Sequence, residues 1–123
     1  MQFEEDASMI LLSAALLLSR RGWTQGVSFD VRSRSFDLVG AMACSAGVSQ
    51  QALGKSDVFA LDLVATARRP AVLFAWEALE IKLDRDPESW NDTKGRTASE
   101  VISLLCTVST EIAIRSEFMR AFH

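Results

Sequence analysis

The stretch Met9 to Leu18 (MILLSAALLL) is apolar throughout except at Ser13, and it constrains the fold more than any other part of the chain. A helix that is apolar on nearly every side must be enclosed by other elements. It does not cross a membrane, because roughly 20 apolar residues are needed for a span and this run closes at Ser19-Arg20-Arg21. A secretory signal would open with basic residues. Here Glu4-Glu5-Asp6 precede the run, so the expected location is the cytoplasm. We therefore expect a core helix from about Asp6, as its cap, to Arg21. The two arginines sit where the helix dipole favours cations, and Gly22 is placed to be the left-handed residue that ends it. Trp23 then folds back on Leu18.

Most of the remaining chain also reads as helix. Residues Thr24 to Arg34 do not: Val27, Phe29 and Val31 alternate with polar residues over too short a span for a stable lone strand. An ordered loop is expected there, with a small hairpin as the alternative. Ser35 is the expected cap of a second helix through Ala46, in which Gly40, Ala41, Ala43 and Ala46 permit close approach. Residues Ser49 to Leu53 make one turn, and Ser56 caps a third helix to about Arg68. Pro70 suits the first turn of a fourth, in which Glu77, Glu80 and Asp84 draw a solvated stripe opposite Val72, Ala75, Trp76, Leu79 and Leu83. The spacing leaves open whether the third and fourth helices are separate or one helix kinked at Pro70.

After a polar loop from Asp84 to Gly95, Thr97-Ala98-Ser99-Glu100 forms a capping box. The last helix is expected from about Ala98 to Arg120. Val101, Leu105, Val108, Ile112, Met119 and Phe122 make its stripe, interrupted by Arg115, which is spaced to pair with Glu111. Ile102, Leu104, Ile114 and Phe118 lie outside that stripe, and this apolar surplus implies a broad buried face or a partner surface. The fold class is all-α, a compact bundle of four to five helices with one irregular loop after the first, forming a single domain over residues 1–123.

Several functions are argued against by composition. The net charge of −3 gives no general attraction to nucleic acid or anionic lipid. The pairs Arg20-Arg21, Arg32 with Arg34, and Arg68-Arg69 would have to share one face to touch a phosphate backbone. Cys44 and Cys106 read as small core hydrophobes, and His123 is the only histidine available to activate one. No zinc set can be assembled from these residues. The Asp84, Asp86, Glu88 alternation resembles a calcium loop but has Ser89 where the sharp turn needs glycine and Gly95 where the bidentate glutamate belongs. No metal and no cofactor is expected, and no catalytic residue is assigned. Carboxylate chemistry through Asp30, Asp92 or Glu100, with Arg96 as an anion clamp, is what an enzyme would have left.

Two elements are more specific than composition: Gly22-Trp23-Thr24-Gln25-Gly26, and Trp90-Asn91-Asp92 followed by Gly95-Arg96-Thr97 and Glu100-Val101. With Gly40-Ala41 between them, they resemble a family of small bacterial and phage proteins known as a domain of unknown function. In that family a helix ending in Gly-Trp-x-Gln-Gly precedes a Gly-Ala helix, and a Trp-Asn-Asp…Arg-Thr…Glu-Val element opens the final helix. This chain departs from the pattern in a shorter middle loop, and in having Leu38-Val39 where an aromatic-cysteine pair often stands. The resemblance implies one helical domain and singles out the two loops.

Those loops admit two readings. In the structural one, Trp23 and Trp90 plug the core, Gln25 and Asn91 bond buried backbone, and Arg96 pairs with Asp92. In the functional one, Gln25, Asn91, Asp92 and Arg96 converge on a pocket for a small polar ligand or peptide. The structural reading is preferred because caps and turns already use these residue types. The expected function is then an interaction or accessory module acting through protein contacts, with a homodimer formed through Ile114, Phe118 and Met119 as one form of it. The alternatives are a ligand-binding protein or enzyme using the two loops, and a weak nucleic-acid-binding regulator.

Overall fold

The computed structural model describes residues 2–122, which leaves His123 outside the described residues. The apolar run near the N-terminus becomes the centre of the molecule. Helix α1 (Gln2–Arg21) packs against α6 (Ala98–Arg120), α2 (Leu38–Ser45) and α4 (Arg69–Leu83). Its Leu11, Ala14 and Leu18 are buried, and the stripe Met9, Leu12 and Leu16 is left exposed. Helix α1 begins ahead of the expected Asp6 cap. Phe3 meets Phe74 of α4 edge-on with ring centroids 5.8 Å apart, so tertiary packing carries the helix past the local signal. Between α1 and α6 lies a polar cross-link: Ser8 Oγ donates to the Ser109 carbonyl (2.9 Å) and Ser109 Oγ to the Ser8 carbonyl (2.7 Å). Both serines are buried, and each hydroxyl satisfies itself on the other helix's backbone.

The irregular loop contains a small hairpin, β1 (Phe29–Asp30) against β2 (Ser35–Phe36), antiparallel with Phe29 opposite Phe36. Two residues per strand are too few to stand alone. The hairpin is held because Phe36 is fully buried and stacks on Phe29 at 4.9 Å, and because Trp23 bridges to Phe36 in parallel. Ser35 is therefore taken into a strand, and the cap of α2 is Asp37 instead.

Two further short helices appear, α3 (Gln50–Lys55), capped by Ser49, and α5 (Pro87–Asn91), capped by Asp86. The expected helix from Ser56 to Arg68 is not formed. Phe59 and Val64 are extended on either side of a single 3-10 turn, Ala60–Leu63. Ala60, Leu61 and Val64 are buried within this short segment, which packs against α2. The Arg69 guanidinium donates to the carbonyls of Asp62 (3.1 Å) and Val64 (3.0 Å), replacing the bonds a continuous helix would have supplied. Helix α4 is thus separate, with Pro70 in its first turn.

Helix α6 starts at the Thr97/Glu100 capping box. Its buried face carries Val101, Leu105, Val108 and Ile112, while Met119 and Phe122, which the periodicity also placed inward, are exposed. The helix outruns the body it packs on. Glu111 pairs with Lys82 of α4 (2.9 Å) and not with Arg115. No helix among the described residues is long and apolar enough to cross a membrane.

Candidate functional site

The two sequence elements meet. Gly22 ends α1 with φ +97°, a conformation open to glycine at little cost, and its amide donates to the Leu18 carbonyl at 2.9 Å. The chain then runs beside β2, with Thr24 N donating to the Phe36 carbonyl (2.9 Å) and Phe36 N to the Gly22 carbonyl (3.2 Å). Trp23 is thereby turned toward α5, where its Nε1 donates to Asn91 Oδ1 at 2.7 Å.

Asn91 is 0% exposed, a primary amide inside the protein with four bonds to make. All four are made. Oδ1 accepts from Trp23 Nε1 and from Leu38 N (3.1 Å), while Nδ2 donates to the Thr24 carbonyl (3.4 Å) and to Asp92 Oδ1 (2.9 Å). One side chain thus joins the loop after α1, the start of α2 and the end of α5. Its neighbours repeat the theme. Gln25 Nε2 donates to the carbonyls of Asn91 (2.9 Å) and Thr93 (3.0 Å), and Asp92 Oδ1 accepts from Gly26 N (2.9 Å).

Arg96 does not pair with Asp92. Its guanidinium lies 3.9 Å from the Trp90 ring centroid, its Nε donates to the Trp90 carbonyl (3.0 Å), and its Nη1 meets Glu100 Oε2 (3.0 Å). Asp92 is already held by Gly26 and Asn91, so the arginine turns to the acid one helical turn on. Hydrogen bonds from the Thr97 hydroxyl and amide, with the Arg96 charge, hold the Glu100 carboxyl below its ordinary pKa. Gln25, Asn91 and Asp92 are linked by hydrogen bonds to one another and to the Gly26 amide, whereas Arg96 bonds the Trp90 carbonyl and Glu100 and none of those three.

A residue that sequence reasoning missed sits beneath this clamp. Asp37 is buried, and its Oδ1 accepts from Gly40 N at 2.6 Å. Burial pushes its carboxyl up to about 7, and the Asp92 and Glu88 charges push in the same direction, against the amides of Gly40 and Val39. The available signal was an aspartate directly ahead of the apolar Leu38-Val39, an N-cap pattern. Gly40 lets α2 lie against the loop: a Cβ there would stand 1.9 Å from the Ser28 carbonyl oxygen, which also accepts from Asp37 N.

The remaining sequence candidates lie elsewhere. Ile114, Phe118 and Met119 on the last turns of α6 are 64%, 62% and 50% exposed, and Phe118 packs its ring on Phe122 with centroids 4.9 Å apart. Beside them, α1, α4 and α6 leave a groove of about 560 Å³. A second, shallower hollow borders Trp90 and Leu104. None of Gln25, Asn91, Asp92 and Arg96 lines either. Among the described residues no three His, Cys, Asp or Glu side chains are grouped to hold a metal ion.

Comparison with known proteins adds one finding. No curated protein and no solved structure matches this chain. A family model matches residues 3–111, which spans both clamp elements and stops short of Ile114, Phe118 and Met119. The chain therefore belongs to DUF6197, a family of unknown function.

Proposed function

We propose that this chain is a cytoplasmic interaction module that works through protein contacts and that its first partner is a second copy of itself. The observation that carries this is the end of α6 and the turn after it, where Ile114, Phe118, Met119 and the 72% exposed Phe122 are all exposed and Phe118 packs on Phe122. Aromatic and methionine side chains gathered in this way are what the centres of protein interfaces use, and scattered single exposures would not carry the same weight. The two cysteines are free thiols, in keeping with a reducing compartment.

The ligand-binding reading loses its support at the clamp. A site for a small polar molecule needs convergent groups with bonds left to give, and the Asn91 amide has none. The clamp reads as the scaffold that fixes where α6 starts, and so where its far end projects.

Light scattering on the untagged protein tests the proposal. Wild type should run at twice the 13.5 kDa chain mass, and the exposed substitutions Phe118→Ser and Met119→Ser should return it to one chain mass with an unchanged helical spectrum. A wild-type monomer would refute self-association, and a dimer indifferent to both substitutions would refute this surface.

A further inference from the structure

The end of α6 and the groove beside it are adjacent on one face of the molecule. The floor of the groove is apolar, formed by Phe74 and Ala78 of α4 and by Val108 and Ile112 of α6. At its mouth Lys82 and Glu111 are paired across the two helices (2.9 Å). Glu77 and Arg115, also at the mouth, form no ion pair with any described residue. The face therefore holds an apolar hollow, an apolar projection and, unpaired among the described residues, the carboxylates of Glu4 and Glu77 and the cation of Arg115. A two-fold contact demands this combination, because the same patch must serve as both donor and receiver.

We infer that the groove receives the Phe118–Phe122 pair of a second copy, the two α6 helices lying antiparallel about an axis near Arg115. The inference rests on the self-association proposed above. Helix spacing sets the register: Phe118 lies three residues beyond Arg115 and Ile112 three before, while Phe122 lies seven beyond and Val108 seven before. Antiparallel pairing about Arg115 therefore sets Phe118 of one protomer on Ile112 of its partner, and Phe122 on Val108. Rows at spacings of three, four and seven are the ones a helix presents along one side. The aromatic pair is already packed together in the single chain, so little side-chain freedom is lost on docking. Each Arg115 then lies within reach of the partner's acidic rim, where Glu77 lacks a cation. A groove of about 560 Å³ falls in the range of pockets that hold sizeable apolar groups.

Sedimentation equilibrium on full-length variants tests this. Ala78→Trp fills the floor, and Arg115→Glu sets a carboxylate against the partner's acidic rim without touching the core. Each should raise the dimer dissociation constant at least about tenfold, the effect expected for an interface centre. Arg115→Glu combined with Glu77→Arg should recover most of the loss. Dimers unaffected by Ala78→Trp and Arg115→Glu, yet lost in Phe118→Ser, would overturn the groove while leaving self-association standing. A wild-type chain that stays monomeric would remove self-association itself. A monomer that takes up anilinonaphthalene sulfonate, with Ala78→Trp blocking uptake, would assign the groove to a small apolar ligand and overturn both.

Discussion

Replacing Asn91 by alanine removes four hydrogen bonds at once, and of their partners Leu38 is buried, Trp23 and Thr24 are half-buried and Asp92 is exposed. The buried Leu38 amide loses its acceptor, the Trp23 indole N–H loses another, and the Thr24 carbonyl loses a donor. An orphaned buried polar group costs roughly 1–3 kcal/mol. Water reaches the indole and the Thr24 carbonyl more readily than the Leu38 amide, because Trp23 and Thr24 are only half-buried. Allowing for that partial rescue and for the space vacated, the expected loss is about 3–5 kcal/mol, a large part of the ~5–15 kcal/mol that holds a domain together. Urea unfolding followed by far-ultraviolet circular dichroism measures it, with an unchanged slope showing that the unfolded state is not at issue. Asn91→Asp separates bonding from shape. It keeps the accepting oxygen but sets a carboxylate against Asp92 Oδ1, where the amide now donates at 2.9 Å. Its loss should shrink as pH falls and the new carboxyl takes a proton. A loss under about 1 kcal/mol for Asn91→Ala would show that the clamp does not hold the fold, because that is the size of an ordinary surface hydrogen bond.

The same region and its surroundings yield three further expectations. Asp37 has a folded-state pKa of about 7 against an ordinary 3.8, so between those values the folded chain binds more protons than the unfolded one. Its contribution to stability is therefore present at low pH and is lost as pH rises through that window, by up to about 4 kcal/mol at 1.36 kcal/mol per unit. Wild type compared with Asp37→Asn by urea unfolding at several pH values should show this difference, and parallel pH profiles would contradict it. Gly40→Ala should destabilise by about 3 kcal/mol or more, because the methyl meets the Ser28 backbone at 1.9 Å, whereas Gly54→Ala meets side chains alone, a Val31 methyl at 3.2 Å and the Phe29 ring at 3.6 Å, and should be mild in thermal unfolding. Thr97→Ala opens the capping box of α6 and should lower stability by about 1 kcal/mol in the same assay, with Thr97→Ser recovering most of it.

What the sequence made legible was local. The capping box at Thr97 and Glu100, the glycine ending at Gly22 and Pro70 at the head of α4 are each complete within a few residues, and all three lie where the spacing puts them. The departures have a different character. The segment 56–68 was expected as a helix, but Ala60, Leu61 and Val64 are buried from a chain that makes one 3-10 turn between extended residues. That break depends on Arg69 reaching back to two carbonyls. Ser35 is an adequate cap until Phe36 enters a hairpin whose stability comes from Trp23 and Phe29. Arg96 and Glu111 each had two partners at helical or loop distance, and the choice was made by residues on other elements, Asp92 being occupied by Gly26 and Glu111 being taken by Lys82. The candidate site was legible as a set of residues. Its closure was not, because a residue type shows the capacity to bond and does not show which partners fill it.

The clamp and the α6 end also differ in where they stand relative to the family. Residues 3–111 match the family model, so the clamp lies within the matched span and the aromatic end of α6 lies beyond it. Self-association at that end is a property proposed for this chain.

Sedimentation equilibrium of the unmodified chain over a wide concentration range tests the central claim most directly. Self-association predicts a reversible rise from 13.5 kDa to twice that mass with increasing concentration, as mass action requires. A single mass of 13.5 kDa at every concentration would contradict it.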